Sequence, residues 1–295
     1  MLGKEIVKVF SGTSRIRRDP ASAGHSLLAT DLPELDITNV IQITEAFYAF
    51  QPDFVLHLAA MTDVDGCERN PQAAFRINGE GTRNIAQICH DNRIPLLYIS
   101  TSDIFDGTKP TPYIETDIPN PINQYAKSKY QGETYVRELI PNAYIIRTCW
   151  LFGGGKDDKK FVVKMLEQAK TKHSLSVVND VFGSPTYTKD LAEGIFKVVE
   201  KGPPQADPPL ADKPGIYHVS NAGVATRYEI ALKILEYARI TDCEIKGVSN
   251  KDFVEVAPRP KMAAMTSINL KKIGLDNLMR PWQEALKEYI TMQIQ

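Results

Sequence analysis

The chain has 295 residues, 43% hydrophobic and 24% charged, with 35 basic side chains against 36 acidic ones. That much apolar material builds one large domain or two intimately joined ones, and a net charge of −1 supplies no field for a nucleic acid or an anionic membrane. Any anionic ligand must be held locally. Cys67, Cys89, Cys149 and Cys243 stand far apart with no Cys-x-x-Cys, the opening does not read as a secretory leader, and no apolar run approaches the ~18 residues of a membrane span. A cytoplasmic enzyme is expected, with no membrane or nucleic-acid partner.

Residues 1–10 have helical spacing, with Gly3 near the start. A doubly wound nucleotide-binding fold should open with a buried strand and a glycine-rich turn before such a helix, whose N-terminus then faces a pyrophosphate. Here the helix comes first, with Gly3 placed like the last glycine of that turn. Either this is a true opening helix, or the first strand and glycine turn are missing. The second reading is favoured, because losing a central strand leaves its neighbours with unpaired backbone groups. Residues 25–31 are expected to form the next strand, ending in Asp31, an acid suited to an adenosine ribose. Arg15, Arg17 and Arg18 just before it suit a 2′-phosphate, so NADH and NADPH are both open. As a plain turn acid and a solvated loop, the same residues need no ligand.

Residues 54–60, 95–100 and 143–148 are apolar, β-branched runs expected to be buried parallel strands. Residues 71–92 and 124–139 carry apolar side chains at three and four, as helices covering both sheet faces should. The expected fold is α/β, a Rossmann-like doubly wound parallel sheet over residues 1–149. A smaller, interleaved C-terminal lobe is expected over 150–295, with some segments returning to the first part. In that lobe residues 175–178 and 215–219 read as strands, and the proline-rich 201–215 as a loop. His90, His173 and His218 are too scattered to read as metal ligands, and Cys149 reads as a small buried hydrophobe.

Tyr125 and Lys129 are four residues apart, which on a helix stacks them on one face. An adjacent cation is expected to lower the phenol pKa from about 10 and so fit Tyr125 for acid–base work. About one Tyr-x-x-x-Lys arises by chance among 12 tyrosines, so its context carries the weight. Upstream, Ser100-Thr101-Ser102-Asp103 follows a strand where the carboxyl edge of a sheet meets substrate, and Thr101 is placed to hold a carbonyl oxygen. Ala59 and Ala60 follow another strand, small enough for a flat cofactor to approach the backbone, or simply for close packing.

Together with Leu35-Asp36-Ile37-Thr38, residues 57–65, Ile77-Asn78, residues 100–107, Arg147-Thr148-Cys149-Trp150, residues 179–186 and Arg259-Pro260, these motifs run nearly end to end. On them the chain resembles the dTDP-4-dehydrorhamnose reductase family of extended short-chain dehydrogenases. The resemblance implies hydride transfer from NADPH or NADH to the C4 ketone of a dTDP-sugar, dTDP-4-dehydrorhamnose giving dTDP-rhamnose for cell-surface polysaccharide. In that scheme Tyr125 is the proton donor, Lys129 the ribose-binding partner and Thr101 the ketone-orienting group. It further implies cofactor contacts at Leu2, Gly3, Asp31, Asp36, Ile37, Ala59, Ala60, Met61, Thr62, Asn78, Tyr125 and Lys129. Substrate contacts are implied at Thr62, Val64, Thr101, Ser102, Trp150, Gly183, Pro185, Thr186 and Arg259, with no metal; a homodimer is compatible with it. Two departures stand out: the absent glycine turn, and Ser102-Asp103 where the family more often has Asp followed by Tyr. Two alternatives stay open on this scaffold, a non-catalytic nucleotide-binding regulatory subunit and a sugar-nucleotide epimerase or dehydratase. The retained Tyr125, Lys129 and Thr101 speak against the first. No Asp-Glu pair follows Thr101, which speaks against the second.

Overall fold

A computed structural model describes residues 1–12, 26–155, 158, 160–200 and 215–294. The chain starts with α1 (Leu2–Gly12); residues 26–39 hold no helix or strand, and α2 (Val40–Phe50) follows, its N-cap Asn39 accepting from the Ile41 and Gln42 amides. Strand β1 (Val55–His57) leads to α3 (Val64–Arg69), α4 (Pro71–Ala74), a π-helical segment (Phe75–Gly81) and α5 (Thr82–Asp91). Next come β2 (Leu96–Thr101), α6 (Gln124–Leu139) and β3 (Tyr144–Thr148). The remainder runs β4 (Leu151–Phe152), α7 (Phe161–Ala169), β5 (Ser174–Val178), β6 (Phe182–Gly183), β7 (Thr186–Tyr187), α8 (Thr188–Glu200) and β8 (Gly215–His218). It ends with β9 (Ala225–Thr226), α9 (Arg227–Ala238), β10 (Glu244–Val248), α10 (Asn269–Lys272) and α11 (Trp282–Ile294).

The main sheet is parallel, in the order β1-β2-β3-β8. Side-chain alternation along its strands sorts two cores. Leu96, Tyr98 and Ile145 face α2, α5 and α6, whereas Leu97, Tyr144, Ile146 and Tyr217 face α1 and α8. Helix α1 is tied in by Leu2, Ile6 and Phe10, the last meeting Phe196 edge-on at 5.2 Å between ring centroids. A third core joins α7, α9 and α11 to the parallel pair β5 and β10, and β8 and α8 return from this half of the chain to the main sheet.

Three expectations change. Residues 26–31 form no strand; the Asp31 carbonyl accepts from the Leu35 amide instead, in an irregular turn. A strand needs a ladder partner, and among the described residues none lies outside β1, which is the sheet's edge on that side. For the same reason only residues 55–57 of the expected 54–60 strand pair with β2. The helix expected over 71–92 is broken into α4, a π-helical segment and α5, and the widened turn carries the buried Asn78. Arg15, Arg17, Arg18 and the proline-rich stretch 201–214 lie outside the described residues.

Candidate active site

Helix α6 begins where Asn123 accepts from the Ala126 amide at 2.8 Å, while its own Nδ2 donates to the Pro258 carbonyl at 2.9 Å. That cap places Tyr125 in the first turn, beside the carboxyl end of β2 and the segment carrying Arg259. The Thr101 hydroxyl, at the end of β2, acts on the Tyr125 phenol and accepts from the Asp103 amide at 3.2 Å. One turn along α6, Lys129 is buried with its Nζ 4.2 Å from the centroid of the Tyr98 ring, whose hydroxyl donates to the Lys129 carbonyl at 3.0 Å. Tyr125 and Lys129 thus lie one turn apart on α6, with Thr101 beside the phenol at the end of β2.

The electrostatics differ from the expectation. Burial, then the neighbouring Asp103, pushes the Tyr125 phenol above its ordinary value, and the Thr101 hydroxyl only partly opposes this. Lys129 does not offset it, because burial lowers that ammonium itself to about 7, with Glu133 pulling the other way. The phenol thus stays protonated, which suits a proton donor. Behind the site, Glu133 accepts from Ser100 Oγ at 2.8 Å and from Arg147 Nη2 at 2.6 Å, and both partners of that ion pair are fully buried. His218 donates through Nδ1 to the Tyr113 and Thr266 carbonyls, its Nε2 lies 3.4 Å from Arg147 Nη1, and burial lowers its pKa to about 4. His218 is a packing residue, as expected, and Cys149, pushed up to about 12 by burial, is an inert small hydrophobe.

The loop after β1 is fastened to α6 through Asn78. Its Oδ1 accepts from the Met61 amide at 2.8 Å, and its Nδ2 donates to the Met61 carbonyl and to Ser128 Oγ. Asn78 is thus a clamp that sets Ala60 and Met61 against the helix of Tyr125, while Ala59 and Thr62 are exposed and Val64 opens α3. Met1 lies against Gly154, two residues beyond β4, so the N-terminus of α1 with Leu2 and Gly3 stands near the carboxyl end of the sheet. A Cβ at Gly3 would meet nothing within 4 Å, leaving that backbone open to approach. Asp36 accepts from the amide and hydroxyl of Thr38, which hold its carboxyl below the usual range, and Ile37 is buried against Gly81. Asp31 is exposed and accepts from the Leu32 amide.

On the substrate side, Trp150 adopts a left-handed φ of 43°, a conformation that L side chains rarely take. Its ring lies on Gly183 so closely that a Cβ there would come within 2.5 Å of it. Pro185 and Thr186 are buried beneath, the Thr186 amide donating to the Trp150 carbonyl at 3.1 Å. Arg259 reaches across from the C-terminal half, its Nη2 2.8 Å from Asp65 Oδ1. Ser102 is fully buried, its hydroxyl 3.4 Å from Asp103 Oδ1. Two groups escaped the sequence reading of the site, Glu133 and Arg227, and Asp103 was noted there without a role. Glu133 had a signal, four residues past Lys129 on the same helix face. Among the described residues no cluster of metal-ligating side chains occurs, and no helix is long and apolar enough to cross a membrane.

Comparison with known proteins gives one answer. Residues 12–294 match the family described as RmlD substrate binding domain. The chain is 36% identical over 273 residues to the spore coat polysaccharide biosynthesis protein SpsK of Bacillus subtilis, covering 92% of this chain and 91% of the relative. It is 34% identical to the dTDP-4-dehydrorhamnose reductase of Mycolicibacterium smegmatis, covering 98% and 86%. The crystal structure of the Bacillus anthracis dTDP-4-dehydrorhamnose reductase in complex with NADP superposes with a TM-score of 0.85 at 34% identity, over 99% of this chain and 95% of the other. The chain belongs to the dTDP-4-dehydrorhamnose reductase family of NAD(P)-dependent oxidoreductases.

Proposed function

We propose that the protein reduces the C4 ketone of a nucleotide-linked deoxysugar, dTDP-4-dehydrorhamnose giving dTDP-rhamnose, for a cell-surface polysaccharide precursor. The observation that supports this is the placement of Tyr125 in the first turn of α6 with Thr101, at the end of β2, acting on its phenol, and with Lys129 buried one turn further along α6. The donor set fits a dinucleotide: Tyr125 and Lys129 would hold its nicotinamide ribose, the loop of Ala59, Ala60, Met61 and Thr62 its flank, and the start of α1 at Leu2 and Gly3 its phosphates. A reduced nicotinamide supplies the hydride.

The chain's own residues do the rest. Thr101 and Tyr125 bracket the ketone oxygen, and Tyr125 Oη gives its proton to the oxygen as negative charge develops there. A phenol held protonated by burial is ready for that transfer. Lys129 then stabilises the tyrosinate left behind, the charge that restores its own lost proton affinity. Trp150, on Gly183, forms the substrate wall, with Thr62, Val64, Pro185, Thr186 and Arg259 around it. Four free, buried cysteines support a reducing cytoplasm as the setting.

Oxidation of NADPH and NADH, followed by absorbance with dTDP-4-dehydro-6-deoxy-L-mannose, tests the reading. Turnover is expected, and Tyr125→Phe is expected to lower it by about 10²–10⁴-fold while NADPH still binds. Unchanged turnover in that variant overturns the mechanism. Cofactor binding without turnover in the native protein favours the regulatory-subunit alternative.

A further inference from the structure

Arg227 opens α9, fixed there by a capping box in which Thr226 Oγ1 accepts from the Glu229 amide and the Glu229 carboxylate accepts from the Thr226 amide at 2.7 Å. Glu229 is thereby occupied with the cap. The Arg227 guanidinium instead sits over the Trp150 ring, its carbon 3.8 Å from that ring's centroid and 4.8 Å from that of Phe161. A cation–π contact of this kind does not consume the N–H donors of the group. Among the described residues no carboxylate lies within ion-pair distance of Arg227 and no acceptor takes its hydrogen bonds. Burial draws its pKa down to about 10, so it remains a cation at neutral pH.

Its charged neighbours are Asp103 and Arg259. Arg259 repels it, and Arg259 is itself only partly satisfied, with Nη2 on Asp65 and Nη1 on the Ala257 carbonyl. Asp103 faces both guanidiniums, but burial raises its own pKa, so it answers the pair only in part and leaves room for a further anion. In a chain with a net charge of −1, such a local pair marks a place for one.

We propose that Arg227, together with Arg259, grips the diphosphate of the nucleotide-linked sugar beside the Trp150 ring. This rests on the function proposed above and adds a residue to it. A planar guanidinium with unspent N–H donors matches the bidentate geometry of phosphate oxygens, and the Trp150 contact holds it in place.

Calorimetric titration of the full-length protein with dTDP, thymidine and NADPH tests it, using Arg227→Met, which retains an apolar contact on Trp150, and Arg227→Lys. In Arg227→Met, dTDP affinity is expected to fall by about tenfold or more, with thymidine and NADPH affinities unchanged and Arg227→Lys intermediate. Equal losses for dTDP and thymidine overturn the proposal and leave Arg227 as a prop for Trp150. A loss confined to NADPH overturns it by placing the residue at the cofactor, and no loss at all overturns it outright. A native protein that fails to bind dTDP overturns the function proposed above as well.

Discussion

Lys129 is a buried ammonium whose pKa falls from 10.5 to about 7, and this ties the candidate site to stability. A base with a depressed folded pKa binds fewer protons folded than unfolded between those two values, so stability rises with pH across that window. The cost of burying it is complete below about pH 7 and vanishes as pH approaches 10.5. Lys129→Met removes the cost at every pH. Its stability gain over the native protein, measured by urea unfolding, is expected to be larger at pH 6 than at pH 9 by on the order of 2 kcal/mol. A gain independent of pH would mean that Lys129 keeps its ordinary proton affinity when folded. A second residue-level expectation concerns Gly183, where an added Cβ would sit 2.5 Å from the Trp150 ring. Gly183→Ala must displace Trp150 from its left-handed backbone position, so dTDP binding is expected to weaken while NADPH binding, proposed to use Lys129 and the start of α1, persists. Equal titration curves for dTDP in the two proteins would show that the ring is not part of the nucleotide site.

Helix α6 is the element on which the proposed chemistry rests, because Tyr125, Lys129 and Glu133 recur every four residues along it. Glu133 anchors that face to β3 through Arg147, an ion pair with both side chains at or below 1% exposure. Removing one partner strands the other charge in the core. Arg147→Met is therefore expected to cost about 3–5 kcal/mol in chemical denaturation, with much of it recovered by combining it with Glu133→Gln. A single variant costing under about 1 kcal/mol would refute that account. The extent of α6 was legible from its apolar spacing, since that is a local property. Residues 26–31 had equally good strand chemistry and form none, because a strand is completed by a partner, and that is not a local property. The π-helical turn at Asn78 was hidden for a similar reason: its side chain is fixed by Met61 and Ser128, which are distant in sequence. Arg147 carried a visible signal as a charge inside an apolar strand, yet nothing in the order of residues says that it meets Glu133. Arg227 was invisible, since the C-terminal half brings it to Trp150.

At the scale of the whole molecule, the chain passes between the sheet cores and the C-terminal core without a pause. Tyr187 belongs to the C-terminal core and Leu191, one turn later in α8, to the sheet. Strand β8 joins the sheet, and Ala225 soon after is back in the other core. Asn221 stands at this crossing, 1% exposed: its Oδ1 accepts from the Tyr187 amide at 2.8 Å, and its Nδ2 donates to Asp190 and to the Arg280 carbonyl. Interleaving of this kind means that neither core can open while the other stays packed. Unfolding by urea is expected to be a single transition, with tryptophan fluorescence, which Trp282 in the C-terminal core reports, coinciding with far-UV circular dichroism. Asn221→Ala strips three hydrogen bonds from a buried junction and is expected to lower stability by about 2–3 kcal/mol, moving both probes together. Were fluorescence to shift alone in that variant, the C-terminal core would be a separable unit, and closure of one half over the other, rather than a fixed cleft, would set how substrate enters.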